Sequence, residues 1–453
     1  MKIFLLVFLF MCTSTLYAKE LFTRELLLQY FTQTNPYIYS AIGKEYIDKE
    51  TYHSKLGDFD TKVVAKYDKK EYPVSKGEFV NLYVEKPIEN GMEFSLGYRR
   101  AEGVQEYNNI KTSKDGEMLA GIKIPVFSVI NDTSTRKLNL DLAYLNSVKS
   151  TFSSKENLRK LYFEAFKLYN QLLYQKEIVR IEADLFKKAK KRELIISKRV
   201  QVGELAEIAL IEAKQQVINR KQRIVTSENK YRTIFEIFLK YMHLSRENFN
   251  DLYLLPSMPT IEKKSFFTQK FITQALEKRA DLKIYDYNIK KIHVEEQKTN
   301  MIKYPKFDIS LYGVHDLKYD NGFKVALDMN FPIERRKYEA LYIKNQKSIS
   351  KLQSTKQKKI INIKTNIKNI ILTLNSVYEN IENSFKEVAL VERLEQAEYK
   401  KYILGISNLF MLNQREIYTL DTKKKLLRYS LEFLLLEEEL KKETATVSHN
   451  LEL

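Results

Sequence analysis

One cysteine, no tryptophan, twelve glycines and eight prolines are all that 453 residues contain of these types, and each scarcity excludes something. The cysteine, Cys12, sits beside the apolar stretch Ile3 to Met11 at the amino terminus, so removal of that segment leaves neither disulfide nor thiolate chemistry. Nowhere do eighteen apolar residues run consecutively, which rules out a transmembrane helix. The five histidines, at 53, 243, 293, 315 and 449, fall at no metal-ligand spacing, and His293 with Glu295 and Glu296 reads as an exposed polar helix face. No phosphate-cradling glycine loop or nucleophile motif is present. Neither an enzyme nor a cofactor site is expected.

Glycine and proline are also unevenly placed. Between Pro125 and Gly203 lie 77 residues with neither, and between Pro332 and Gly405 another 72. Either stretch is long enough for a helix of about 100 Å at 1.5 Å per residue. Leu158, Leu161, Ala165, Leu168 and Leu172 step by three and four in the first run, as do Ile360, Ile363, Ile367, Ile370, Leu374 and Val377 in the second. After each closing glycine the chain is again free of both residues, to Pro256 in one case and Leu453 in the other. Each half therefore reads as a helical hairpin, and the chain as two tandem repeats.

Residues before the long runs alternate instead. Phe307, Ile309 and Leu311 interleave with Asp308, Ser310 and Tyr312, and Phe323, Val325, Leu327, Met329 and Phe331 with Lys324, Ala326, Asp328 and Asn330. This period of two, around the turn signal Asp320-Asn321-Gly322, predicts a strand pair. In the first half, the candidates for the corresponding strands are Asp58 to Tyr67, Glu78 to Glu85, Met92 to Arg99 and Glu117 to Val126, and residue order does not say which of them cross a membrane. The first half thus carries an insertion of about 40 to 50 residues before Pro125 that the second lacks. Pro125 and Pro332 end strands just before the helices begin.

Met1-Lys2, the apolar Ile3 to Met11 and the small-residue site at Leu16-Tyr17-Ala18 form a secretory signal. A lipoprotein reading of Cys12 is disfavoured by the bulk of Leu9-Phe10-Met11 before it. An exported chain without an apolar helix crosses a membrane only as strands, and two-faced strands suit a barrel between lipid and water. Four strands do not close one. Either the strands form an edge-exposed soluble sheet or several copies share a barrel. The formal charge of +18 raises nucleic-acid binding, but export argues against it, and runs such as Lys187 to Arg192 and Lys423 to Lys425 read as solvated helix faces.

With these features in place, the chain resembles the TolC-type outer-membrane efflux proteins. The likeness is carried by the tandem halves, by Asn35-Pro36-Tyr37-Ile38 and Ala275 to Leu282, by Tyr304-Pro305-Lys306-Phe307, and by the tips Val202-Gly203-Glu204-Leu205 and Leu404-Gly405-Ile406-Ser407. It implies a mainly α fold with β: a homotrimer whose β-barrel, four strands per chain, lies in the outer membrane and continues into a long α-helical barrel across the periplasm. Such a duct is passive and works with an inner-membrane pump and a periplasmic adaptor, the membrane fusion protein. Its expected parts are a signal at 1–18, a first repeat at 19–255 with strands within 58–126, a linker at 256–265, and a second repeat at 266–453 with strands within 307–333.

By the same analogy the adaptor meets Val202, Gly203, Leu205, Leu404, Gly405 and Ser407, although a tight reversal by itself accounts for the two glycines. Tyr402 matches a closing-contact tyrosine. The family often places a pore-facing carboxylate six residues past each tip glycine, where this chain has Ala209 and Met411, with Gln414 three further on. Tyr402, Met411 and Gln414 are therefore the gate candidates, and Glu204, Glu207 and Glu212 the alternative source of charge. The competing reading is a non-channel periplasmic coiled-coil protein, such as an adaptor or a structural protein.

Overall fold

The computed structural model describes residues 19–73, 75–103, 112–330 and 332–446. The expected signal at 1–18 with Cys12, the strand end at Phe331, and His449 lie outside the described residues. The first half opens with the short strand β1 (Glu20–Leu21) and helices α1 (Arg24–Gln29) and α2 (Pro36–Leu56). Four strands follow, β2 (Lys62–Tyr72), β3 (Ser75–Pro87), β4 (Glu93–Gly103) and β5 (Glu117–Pro125). Then come α3 (Val126–Ile130), α4 (Thr135–Gln201), α5 (Glu207–Met242), α6 (Arg246–Leu252) and the short β6 (Tyr253–Leu254). The second half holds α7 (Thr268–Lys278), α8 (Ala280–Lys303), β7 (Lys306–Asp316), β8 (Asn321–Asn330), α9 (Arg336–Ile403) and α10 (Leu409–Glu443).

The two long helices have 67 and 68 residues, each about 100 Å at the standard rise. The first starts later than its glycine-free run. After one and a half turns of α3 the chain breaks at Asn131 to Ser134, with Asp132 at φ 46°, and restarts where Ser134 Oγ accepts the Lys137 amide at 3.1 Å. A serine N-cap supplies a partner for an otherwise unpaired first-turn amide. The first strand likewise begins at Lys62 and not at Asp58, because Gly57–Phe59 winds into a 3-10 turn.

The chain folds into two compact units, and each draws on both halves of the sequence. One takes the residues up to Tyr39, Arg159–Lys278 and those from Lys364 onward. Its core includes an aromatic cluster around Phe22, fully buried against Phe238, Phe249 and Tyr253, where β1 pairs in parallel with β6. Asn35 explains its own motif: its Oδ1 accepts the Tyr37 amide at 3.0 Å, while its Nδ2 donates to the Tyr241 carbonyl at 2.7 Å.

The other unit, Ser40–Leu158 with Arg279–Ile363, holds the main sheet. Its order is β2-β3-β4-β5-β7-β8, antiparallel throughout. The two halves meet where β5 pairs with β7, Ile122 opposite Leu311. Six strands replace the four per chain that the family resemblance implied. The insertion in the first half does not loop away; it adds a hairpin to the same sheet.

Candidate functional site

Register sorts the sheet residues onto two faces of opposite character. In an antiparallel pair, directly opposed residues share a face, so the pairing can be followed from strand to strand. One face carries Val63, Ala65 and Tyr67 of β2, then Val80, Leu82 and Val84, then Phe94, Leu96 and Tyr98. It continues through Met118, Ala120, Ile122 and Ile124, then Phe307, Ile309, Leu311 and Gly313, and ends on Phe323, Val325, Leu327 and Met329. Charged residues on this face keep to its margins, at Lys69, Glu71, Lys76, Glu78, Lys86, Arg100 and Glu102. Several of its large apolar side chains are open to the surroundings: Phe323 is 85% exposed and Leu327 66%. Among the described residues the middle of this band, including Phe323, Val325, Leu327 and Met329, is left exposed, and water does not favour such a surface.

The opposite face is polar. Lys62, Lys66, Lys70, Arg99, Lys123, Lys306 and Lys324 stand there among Asp68, Glu85, Glu93, Glu117, Asp308, Asp316 and Asp328. Seven cations meet seven carboxylates, so the large positive charge of the chain does not reside on this surface. Arg99 pairs with Glu117, and Lys123 Nζ lies 3.4 Å from Asp308 Oδ2. Two close approaches need glycine. A Cβ on Gly121 would fall 2.1 Å from the Tyr312 ring, and one on Gly97 2.4 Å from Tyr83 Cβ. A concave region of this face is lined by Asn81, Tyr83, Arg99, Lys123, Tyr312 and Lys324.

The two hairpin tips are built alike. At the end of α4, Gly203 N–H donates to the Val200 carbonyl at 3.0 Å and Glu204 N–H to Arg199 at 2.9 Å. At the end of α9, Gly405 N–H donates to Tyr402 at 3.2 Å and Ile406 N–H to Lys401 at 2.9 Å. This is the Schellman closure, which requires a left-handed residue after the helix. Gly203 and Gly405 supply it at φ 77° and 75°.

Around these turns Val202, Leu404, Ile406 and Phe410 are each more than half exposed, as are Ile208 and Ile211 on α5. Beneath them Ile196, Ala213 and Leu409 form a buried cluster, against which Leu205, Ala209 and Tyr402 pack. Tyr402 and Leu205 are thus brought together although they belong to different hairpins. Ser407 Oγ donates to Glu398, Asn408 Oδ1 caps α10 by accepting the Met411 amide at 2.9 Å, and Glu204 pairs with Arg199 at 3.0 Å. Met411 and Gln414 are exposed and stand outside the cluster.

The basic runs are more engaged than a solvated-face reading holds. Arg192 pairs with Glu416 and donates to Asn413 Oδ1 at 2.9 Å. Arg220, 2% exposed, approaches the same carboxylate at 4.0 Å. Burial pushes the Arg220 guanidinium below its usual range, and Glu416 opposes the shift. Lys423, Lys424 and Lys425 pair with Glu392, Glu182 and Glu387. The sequence signal that existed was three successive lysines, whose partners are carboxylates on two different helices, Glu182 on α4 and Glu387 and Glu392 on α9, and so legible only once both neighbours are known.

No family model matches the chain, and no curated protein matches it. Solved structures do. The outer-membrane channel OprN is 10% identical and aligns with a TM-score of 0.70 over 93% of this chain and 89% of its own. The outer-membrane protein VceC of Vibrio cholerae is 9% identical, with a TM-score of 0.69 over 93% and 95%. The CmeC outer-membrane channel of Campylobacter jejuni is 10% identical, with a TM-score of 0.69 over 93% and 85%. At such low identity the likeness is one of architecture, and it spans almost the whole of both chains. The fold of this protein is that of the TolC-type outer-membrane channels.

Proposed function

We propose that this chain is an outer-membrane exit duct: a homotrimer whose strands cross the outer membrane and whose helices extend into the periplasm, passing cargo without chemistry. The two-faced sheet carries the reading. An uncovered apolar face set against a charge-balanced polar face suits a wall between lipid and water, and suits neither a periplasmic adaptor nor a coiled-coil spacer. The outer-membrane channels that share the fold support the location. The expected signal at 1–18, the repeats at 19–255 and 266–453 and the linker at 256–265 belong to this reading.

A passive duct takes its energy from partners, here an inner-membrane pump and a periplasmic adaptor. The adaptor docks on the tips at Val202, Gly203, Leu205, Leu404, Gly405 and Ser407, where exposed apolar side chains surround two matched turns. Tyr402 belongs to the closing contacts through its packing on the other hairpin. Met411 and Gln414 are neutral groups lining the narrow end. The test is the mass of the protein extracted from outer membranes in mild detergent, corrected for bound detergent. Three chains, released only by detergent, are expected. A single chain, or release with soluble periplasm, would return the protein to the coiled-coil class.

A further inference from the structure

Among the described residues the sheet ends on two unpaired edges, β2 on one side and β8 on the other. Along the order β2-β3-β4-β5-β7-β8 direction alternates at every step, so the two edge strands run antiparallel to each other. They are also of matching length, 11 and 10 residues. Unpaired edge amides and carbonyls within a bilayer must find partners, and six strands are too few to close on themselves. We infer that β8 of one copy pairs with β2 of the next. Resting on the duct reading, this makes the barrel of three chains eighteen-stranded and not twelve-stranded.

Side chains favour that seam. A register that keeps the apolar face continuous must join odd-numbered residues of β2 to odd-numbered residues of β8, which brings Val63, Ala65 and Tyr67 against Phe323, Val325, Leu327 and Met329. The same register sets Lys62 and Lys66 on the polar face beside Asp328. Barrel diameter grows about linearly with strand number, so the passage is about half as wide again as a twelve-stranded one, in the range of open aqueous channels. The duct therefore has room at its outer mouth for bulky or still solvated cargo.

Disulfide mapping tests the seam, since the chain beyond its signal has no cysteine. Leu327→Cys is combined with Val63→Cys, Ala65→Cys or Tyr67→Cys on β2, or with Leu96→Cys on β4. Within one chain β8 lies five strands from β2, about 24 Å, and three from β4, about 14 Å, so any bond formed joins two chains. Expected is a ladder of linked chains from at least one β2 pair and none from the β4 pair. Linkage through Leu96→Cys in a three-chain assembly would overturn the eighteen-stranded barrel and leave the duct intact. Single-chain mass for the unmodified protein would remove the duct reading itself. Should the cysteine variants fail to fold, strand number counted by electron microscopy of the unmodified protein decides, with eighteen expected and twelve overturning the seam.

Discussion

Gly405 shows how little freedom a single position has even in open space. A Cβ there would meet nothing within 4 Å, yet its φ of 75° disfavours every residue with a side chain. Gly405→Ala should cost about 1 kcal/mol and Gly405→Asn less, read as ordered shifts in thermal unfolding of the detergent-extracted protein. Glu416 is the opposite case, a residue held by its neighbours. It is the carboxylate that Arg192 pairs with and Arg220 approaches, and Arg220 Nη2 has no hydrogen-bond partner. Glu416→Gln should therefore destabilise by about 3 kcal/mol, because the buried Arg220 and the partly buried Arg192 lose their counter-charge, whereas Arg220→Met should be nearly neutral. Denaturant titration of the three proteins gives the order. The glycine was legible in the sequence because its constraint is local. The Arg192–Glu416 pair was not, since its partners lie 224 residues apart on different helices.

At the scale of elements, the two faces of the sheet make opposite demands on neighbouring residues. Leu311 lies on the apolar face and Ser310, beside it in β7, on the polar one. Leu311→Arg should cost about 3 kcal/mol in a bilayer and Ser310→Arg little, compared by folding into lipid vesicles across a urea series. Alternation made the strand pair β7–β8 readable from residue order, but its turn falls at 317–320 and not on the Asn-Gly signal, since Asn321 and Gly322 already pair with His315 and Val314 inside the hairpin. What residue order left open was how strands from the two halves join. The seam between β5 and β7 links residues about 190 apart in the chain, and only that pairing shows the inserted hairpin lying in the same wall. Helix α4 was misjudged at its start for a simpler reason: Asn131 to Ser134 contain neither glycine nor proline, yet asparagine, aspartate and serine break and recap a helix equally well.

For the whole molecule, the proposed threefold assembly would multiply every substitution by three. In that proposed assembly Met411→Asp would place three carboxylates around one axis, supplying the acidic ring that the family resemblance led one to expect. In planar bilayers with a salt gradient the reversal potential should move toward cation preference, more so at low ionic strength. The unmodified sheet, with equal numbers of opposite charges on its polar face, should contribute little selectivity of its own. Strand parity limits how such a wall can grow. Adding one strand to a chain would turn a neighbour upside down, with its edge parallel to the edge it must meet. Adding two preserves parity, the polarity of every face and the positions of both ends of the insertion. A hairpin is thus the smallest step by which such a wall can widen, and among the described residues the stretch between α2 and α3 holds one hairpin more than the stretch between α8 and α9.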